Sequence, residues 1–185
     1  MSSLPSQNAE ESEKQWFVMR DLKRRNAKLP AYKLLDSLNV TCFTPMVERL
    51  LKVDGRRVRQ KVPFMQDLLF VNDTRCRLDG IVEKTLTLQY RYVIGARQTP
   101  MTVRNADMER FIRAVMSTEF PQYFTPDEVT TAMRNRRIRI IGGALDGYEG
   151  TLVTTRGSKV KRLLVEIPML LAAAVEVSPE YIQVL

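Results

Sequence analysis

Apolar residues in the N-terminal two-thirds of the chain recur at two spacings, one typical of helices and one typical of strands. Ala31, Leu34, Leu35 and Leu38 are three or four residues apart, which predicts a helix with one apolar face. Apolar residues at every second position from Leu86 to Ile94 predict a strand with one buried face. The predicted helices lie around residues 31–38, 78–82 and 108–116, and the predicted strands at 15–20, 40–51 with a break at Pro45, 68–71 and 86–94.

Between the second and third predicted strands, residues 52–62 are expected to form a basic loop that turns at Asp54-Gly55. The whole region alternates helices with strands that have one apolar face. Helices on one face of an antiparallel sheet bury such faces, so the predicted class is α+β.

The last fifty residues have a different pattern, with short β-branched runs separated by glycine, serine and proline. Residues 137–153 read RIRIIGGALDGYEGTLV, in which Asp146-Gly147 is a strong turn signal. Taken alone, this stretch also fits an ordinary β-hairpin. The extended runs are at residues 138–141, 151–153, 161–167, 172–177 and 181–184. Five short strands in so few residues predict a small curled barrel.

The segment joining the two regions is expected to contain a short helix. Thr125-Pro126-Asp127-Glu128 combines an N-cap, a proline at the first helical position and a capping-box glutamate. Phe120 and Tyr123 make the segment too apolar for a free tether, so it is expected to dock on one domain. The predicted division is an acidic, disordered tail at 1–14, a first domain at 15–116, a linker with a short helix at 117–135 and a barrel at 136–185.

Composition sets the class of protein. The 185 residues are 44% hydrophobic and 27% charged, as expected of a globular chain. The longest apolar run is broken by Pro168 and is far shorter than the roughly 20 residues of a membrane span. The N-terminus lacks the apolar core of a signal peptide, so a cytoplasmic protein is expected. Cys42 and Cys76 have no ligand spacing and are expected to be buried free thiols.

Positive charge is concentrated in three clusters. The net charge is +8 and the isoelectric point is near 9.7. The clusters are Lys23-Arg24-Arg25, Arg56-Arg57 with Arg59 and Lys61, and Arg134 with Arg136, Arg137 and Arg139. Each cluster alone is more often a solvated loop than a contact. Three together favour a nucleic acid close to the bound protein.

No pattern of catalytic residues is present in the sequence. The chain has no histidine, the usual general base near neutral pH and the commonest metal ligand. It also lacks a phosphate-binding loop, a nucleophile elbow and a Cys-x-x-Cys pair. We therefore expect no enzymatic activity, no cofactor and no metal.

The order of four motifs resembles the NusG family of transcription elongation factors. These are Trp16-Phe17-Val18, CFTPM at 42–46, the basic segment, and PFMQDLLFV at 63–71, followed by a barrel that resembles a KOW domain. The stretch LNVTCFTPMVERLLKVDGRRV is similar to RfaH, the operon-specific branch of the family. The stretch YRYVIGARQTPMTVRNADMERFIRAV is similar to the UpxY-type antiterminators of Bacteroidales capsular polysaccharide operons.

The resemblance implies a monomer that binds the clamp of RNA polymerase and suppresses pausing and termination. The residues implied in that contact are Val18, Met65, Leu68 and Phe70. The usual F-P-G/N-Y segment of the family is here Met65-Gln66-Asp67-Leu68, so Leu68 replaces the aromatic. On this basis Leu68→Asp is expected to abolish polymerase binding while the domain stays folded. The other interpretation is that Leu68 or Phe70 is simply a core residue.

The resemblance also implies nucleic-acid and protein contacts outside the clamp site. Lys23, Arg24 and Arg25 follow the first strand, where RfaH-like proteins read an exposed non-template DNA strand; leader RNA is the alternative target. The second basic cluster adds Arg56 and Arg57. The barrel would bind Rho or a ribosomal protein through Tyr148, Ile167 and Met169.

Other functions stay open at this stage. They are a housekeeping NusG-type elongation factor and a KOW RNA-binding or ribosome-associated protein without a polymerase partner. RfaH barrels can refold into a helical hairpin, and residues 169–174 have high helix propensity. Pro168 and the valines at 175 and 177 oppose a helix, so a constitutive barrel is expected.

Overall fold

The computed structural model describes residues 13–23, 27–134, 136–154 and 159–185. The chain divides into two compact units between Asn105 and Ala106, and each unit is described by itself. The division falls in the first turn of the helix that the sequence predicts around residues 108–116.

The first unit contains a five-stranded antiparallel sheet, a separate two-stranded hairpin and two helices. The sheet strands are β1 (Gln15–Asp21), β2 (Thr41–Phe43), β5 (Leu69–Asp73), β6 (Leu88–Tyr90) and β7 (Thr102–Val103). They are arranged in the order β2-β5-β1-β6, with β7 also paired to β1. The hairpin is β3 (Met46–Val53) with β4 (Arg56–Pro63), and the helices are α1 (Ala31–Ser37) and α2 (Arg75–Lys84).

One face of this sheet forms a core with the helices. Phe17 and Met19 of β1 lie beside Leu69 and Val71 of β5, and Leu35 of α1 packs against them. The helical spacing in the sequence predicted α1 correctly, and Asn39 ends it in the left-handed conformation, with φ 54°. A fully buried Leu or Phe contributes about 1.5–3 kcal/mol, so this face supplies much of the stability of the first unit.

Residues 52–62 form most of a hairpin, and the expectation of a loop is wrong. Met46–Val53 and Arg56–Pro63 are paired in register along their whole length. Asp54 and Gly55 make the two-residue turn with φ of 48° and 81°. The strand was missed because nearly every residue of Arg56–Pro63 is exposed, so no buried face marks it in the sequence.

Three other expectations need correction. The predicted strand at 86–94 is confined to Leu88–Tyr90, and Leu86 and Ile94 are 85% and 95% exposed. The capping box at Thr125 is present, but it opens a single 3₁₀ turn, Pro126–Glu128, instead of a continuous helix. Both cysteines are free as expected, although Cys76 is exposed and not buried.

The second unit combines one helix with a six-stranded antiparallel sheet. The helix is α3 (Asn105–Met116), and the strands are β8 (Gln122–Phe124), β9 (Arg137–Ile140), β10 (Glu149–Thr154), β11 (Lys161–Ile167), β12 (Leu171–Val177) and β13 (Ile182–Val184). The order is β13-β9-β10-β11-β12-β8. The five predicted C-terminal strands are thereby confirmed. The apolar joining segment docks in part, because Tyr123 is buried and paired to Ala173 whereas Phe120 is 62% exposed.

Two glycines explain the glycine-rich stretch. Gly142 has a φ of 97°, and an added Cβ there would lie 3.1 Å from the ring of Tyr181. Gly150 is required for a different reason. A Cβ at this position would meet the carbonyl oxygen of Leu164 and lie 2.8 Å from Cδ1 of Leu163. A side chain at either position would disturb the packing of this sheet.

Candidate functional site

The sheet face opposite the core of the first unit carries a row of apolar side chains. Because side chains alternate along a strand, Val18 lies on the face opposite Phe17 and Met19. Val18 pairs with Phe70, and Phe70 pairs with Phe43 on the next strand. The rings of Phe43 and Phe70 have centroids 6.4 Å apart. Three neighbouring strands therefore contribute to one apolar row.

The structure brings together the residues predicted to contact the polymerase, but it buries most of them. Val18, Leu68 and Phe70 are at most 1% exposed, and Met65 is half-buried. Leu68 comes immediately before β5, and its carbonyl oxygen accepts a hydrogen bond from Oγ1 of Thr44 at 3.1 Å. In this structure Val18, Leu68 and Phe70 are core residues, and Met65 is the member of the set open to solvent.

A buried carboxylate, Asp21, organises the loop that follows β1. Its Oδ2 accepts a hydrogen bond from the backbone N–H of Ala31 at 2.6 Å, and its Oδ1 accepts one from the backbone N–H of Lys23 at 2.9 Å. Pro30 precedes α1 and provides no side-chain cap. Asp21, the last residue of β1, thus caps α1, which begins ten residues later, and places negative charge at the N-terminus of that helix. Sequence reasoning missed this role, which no local pattern indicates.

Lys23 is the described member of the first basic cluster. Its Nζ donates a hydrogen bond to the carbonyl oxygen of Leu29 at 2.6 Å, so the side chain closes its own loop. Arg24 and Arg25 lie outside the described residues. The structure therefore assigns Lys23 a loop-forming contact and does not bear on the other two.

The segment that departs from the usual family sequence is tied into the same loop. Nε2 of Gln66 donates a hydrogen bond to the carbonyl oxygen of Lys23. Oδ2 of Asp67 lies 3.1 Å from Nη2 of Arg91 and 3.6 Å from Nη2 of Arg20. Gln66 thus holds the segment against Lys23, just after β1, and Asp67 holds it against Arg20 of β1 and against Arg91.

A cleft of about 510 Å³ opens between α1, this loop and the hairpin. Its polar lining includes the cations Lys33, Arg49 and Lys61, the carboxylate of Asp21, and Thr44, Gln60 and Gln66, and Tyr32 and Phe64 supply aromatic rings. Cations beside aromatic rings are the combination that binds unstacked bases and their phosphates. The cleft therefore has the chemistry of a single-strand nucleic-acid site.

The hairpin has two chemically different faces. Directly opposed residues in an antiparallel pair share a face. The register therefore places Lys52 with Arg57, Leu50 with Arg59, and Glu48 with Lys61 on what we call the cationic face. The other face carries mainly valine and leucine, together with Arg49, Arg56 and Gln60. The adjacent residues Arg56 and Arg57, predicted together as a nucleic-acid site, are thus on opposite faces.

The residues predicted to bind a partner of the second unit are also separated by burial. Tyr148 is buried, with the guanidinium of Arg110 over its ring at 5.0 Å, and Ile167 is buried as well. Met169 is 88% exposed, in a turn with φ 62°. Next to Tyr148, a hydrogen bond from Arg139 to Glu149 lowers the pKa of the Glu149 carboxyl. Of the three predicted residues, Met169 is available to a partner.

The described residues offer little for catalysis or metal binding. No cluster of three potential metal ligands occurs within the described ranges. Burial, reinforced by Asp36, raises the pKa of the Cys42 thiol to about 11, so the thiol stays protonated near neutral pH and is a poor nucleophile. No helix in the described part of the chain is long and apolar enough to cross a membrane.

Comparison with known proteins gives one family match. The family described as "Transcription termination factor nusG" matches residues 14–112. A solved structure titled "Domain interaction in Thermotoga maritima NusG" is similar to the chain at 13% identity and a TM-score of 0.47, covering 92% of this chain and 97% of that one. No curated protein matches the chain. The family match covers the apolar row, the cleft and the hairpin.

Proposed function

The chain belongs to the NusG family of transcription factors, and on that premise we propose that it is an operon-specific elongation and antitermination factor. The observation that carries the proposal is the family match over residues 14–112, which covers more than half of the chain. RNA polymerase is the partner that the family implies. The factor would bind the polymerase clamp in the cytoplasm and act without catalysis.

The proposed polymerase contact is centred on Met65, the accessible member of the predicted set. Val18, Leu68 and Phe70 lie beneath the surface in this structure. They can join the contact only after a rearrangement that exposes them. A factor that binds the closed clamp more tightly than the open clamp shifts that equilibrium towards closure, which suppresses pausing.

The operon-specific role is supported by the segment at 65–68. Gln66 and Asp67 replace residues usual in the family; Gln66 contacts the backbone of Lys23 beside the cleft, and Asp67 pairs with Arg91. We infer that this loop and the cleft read one exposed non-template DNA strand. The sequence resemblance to UpxY-type proteins points to a capsular polysaccharide operon as the target.

The C-terminal strands are proposed to form a KOW-like domain that recruits a second partner. The exposed Met169 at the β11–β12 turn is its proposed contact with Rho or a ribosomal protein. Of the segment with high helix propensity, residues 169–174, the last four lie in the strand Leu171–Val177 and the first two in the turn before it, which supports a constitutive β-structure.

Single-round transcription with purified polymerase tests the proposal. Two templates are needed, one with the leader of the neighbouring operon and one with the leader scrambled. The operon-specific factor shortens pauses on the native leader only. A housekeeping factor would shorten them equally on both templates. A protein that binds ribosomes and does not bind polymerase would contradict the proposal.

A further inference from the structure

The β3–β4 hairpin has a cationic face whose charges form no ion pair within the described part of the chain. Lys52, Arg57, Arg59 and Lys61 are all exposed. Among the described residues, none of the four takes part in an ion pair. Glu48, directly opposite Lys61, is the only carboxylate that the register places on this face, and it lies toward the base of the hairpin.

Arginines of the third basic cluster, unlike the hairpin cations, form ion pairs with carboxylates of the protein. Arg134 lies 2.9 Å from Glu166, and Arg139 donates to Glu149 at 2.9 Å. Arg137 also reaches Glu149, at 3.4 Å. Those three arginines contact two carboxylates within the second unit, whereas the four hairpin cations have no such contact among the described residues and are available to an external anion. The hairpin is therefore the better candidate for a polyanion.

We propose that the cationic face of the hairpin binds the phosphate backbone of double-stranded DNA. This inference deepens the proposed function, because it adds a duplex contact to a factor that acts on transcribing polymerase. Arg57, Arg59 and Lys61 alternate along one strand and are spaced about 6.6 Å apart, at about 3.3 Å per residue. Phosphates along one DNA strand rise about 3.4 Å each along the helix axis, and because the backbone winds around that axis neighbouring phosphates are farther apart than this rise, so successive cations can contact successive phosphates.

The shape of the hairpin favours a duplex over a single strand. The register also places Leu50 on the cationic face, with Met46 and Pro63 at its base, and none of these residues has an aromatic ring on which a base could stack. A two-stranded β-ribbon fits the major groove of B-form DNA, about 12 Å wide. The major groove of A-form RNA is too narrow for it. Double-stranded DNA is therefore the nucleic acid that this face suits.

The face of the hairpin opposite the cationic face borders the cleft. Arg49, Leu51, Gln60 and Val62 of that face line the cleft. Lys61, at the base of the hairpin, also lines the cleft. The cationic face thus continues into the proposed single-strand site. DNA that runs from the duplex into an exposed single strand would contact the cationic face first and the cleft next.

Arg56 and Arg57 provide a matched test, because they are neighbours with the same charge on opposite faces. The full-length protein is titrated with a fluorescent 20-base-pair DNA duplex, and binding is followed by anisotropy between about 50 and 200 mM salt. Arg57→Gln combined with Arg59→Gln should weaken binding about tenfold or more. Each lost contact should also reduce the slope of log affinity against log salt by about 0.9. Arg56→Gln should change the affinity less than twofold.

Several outcomes overturn the inference. They are a loss of duplex affinity for Arg56→Gln as large as that of the double variant, tighter binding of single-stranded DNA than of the duplex, or no duplex binding at 50 mM salt. Polymerase co-purification is measured on the same variants. If the double variant loses polymerase and keeps DNA, the hairpin contacts protein, which overturns the duplex contact and leaves the proposed function intact. If the wild-type protein does not bind polymerase, that result contradicts the proposed function and leaves the duplex contact intact.

Discussion

Val18 and Phe70 lie directly opposite each other on neighbouring antiparallel strands, and neither side chain is exposed to solvent. Both were predicted from the sequence as contacts for RNA polymerase. Their position on the sheet face away from the helical core agrees with a recognition surface, whereas their burial makes them structural. These two residues therefore lie on the expected face of the sheet, but a partner cannot reach them in this structure.

Because these side chains are buried, substitutions on this face test the stability of the fold more directly than they test partner binding. Phe70→Ala should lower the free energy of unfolding by about 3–5 kcal/mol, because it removes a fully buried aromatic side chain. Leu68→Asp would leave a charge in the core, so it should unfold the chain instead of leaving the domain folded. Urea denaturation of the full chain measures both effects. A change below 1 kcal/mol for Phe70→Ala would show that Phe70 is solvent-accessible.

Asp21 should stabilise the first unit through its two backbone hydrogen bonds. Asp21→Ala leaves the N–H groups of Lys23 and Ala31 without that acceptor, and an unsatisfied buried donor costs about 1–3 kcal/mol. Asp21→Asn keeps one acceptor and should fall between wild type and the alanine variant. Chemical denaturation compares the three proteins. Equal stability of all three would contradict the capping role.

Two glycine substitutions should have opposite effects on stability. Gly150→Ala places a methyl group against β11 and should destabilise the protein by about 1–3 kcal/mol. Gly80 lies in α2 with no atom within 4 Å of an added Cβ. Gly80→Ala should therefore stabilise the protein by up to about 1 kcal/mol. Melting temperatures of the two variants should move in opposite directions, and a rise for Gly150→Ala would refute the close approach.

The Arg139–Glu149 contact should make stability depend on pH. The pKa of Glu149 is lowered in the folded protein. Its contribution is therefore present above the unfolded pKa of about 4.3 and is lost as the pH falls through the lower folded pKa. Glu149→Gln should reduce the melting temperature at pH 7 and leave it nearly unchanged near pH 2. A difference that persists at acid pH would rule out the charge as its cause.

The strands and helices with a buried face could be predicted from the sequence, because burial leaves a periodic pattern. Ala31–Ser37 and the C-terminal strands are examples. Arg56–Pro63 could not be predicted, because its side chains face solvent on both sides of the hairpin. In that case the pairing with β3 defines the strand, although β3 and the turn at Asp54-Gly55 were themselves indicated by the sequence.

The residue types of the candidate site could be predicted from the sequence, but their burial and the faces on which they lie could not. The sequence indicates apolar residues near Phe70 and basic residues at 56–61, but it does not distinguish a buried row from an exposed one. Arg56 and Arg57 have the same chemistry, and only the register with Val53 and Lys52 assigns them to different faces. Asp21 and Ala31 are joined across a loop that no local spacing encodes.

Co-purification of the full-length protein with RNA polymerase tests the central claim most directly. Wild-type protein should be retained on immobilised polymerase. Met65→Glu places a charge on the half-exposed part of the proposed contact. This substitution should reduce retention at least tenfold while the circular dichroism spectrum stays unchanged. Met169→Glu, a matched change at an exposed methionine of the second unit, should be retained like wild type. Absence of wild-type retention, or equal retention of the folded Met65→Glu variant, would contradict the account.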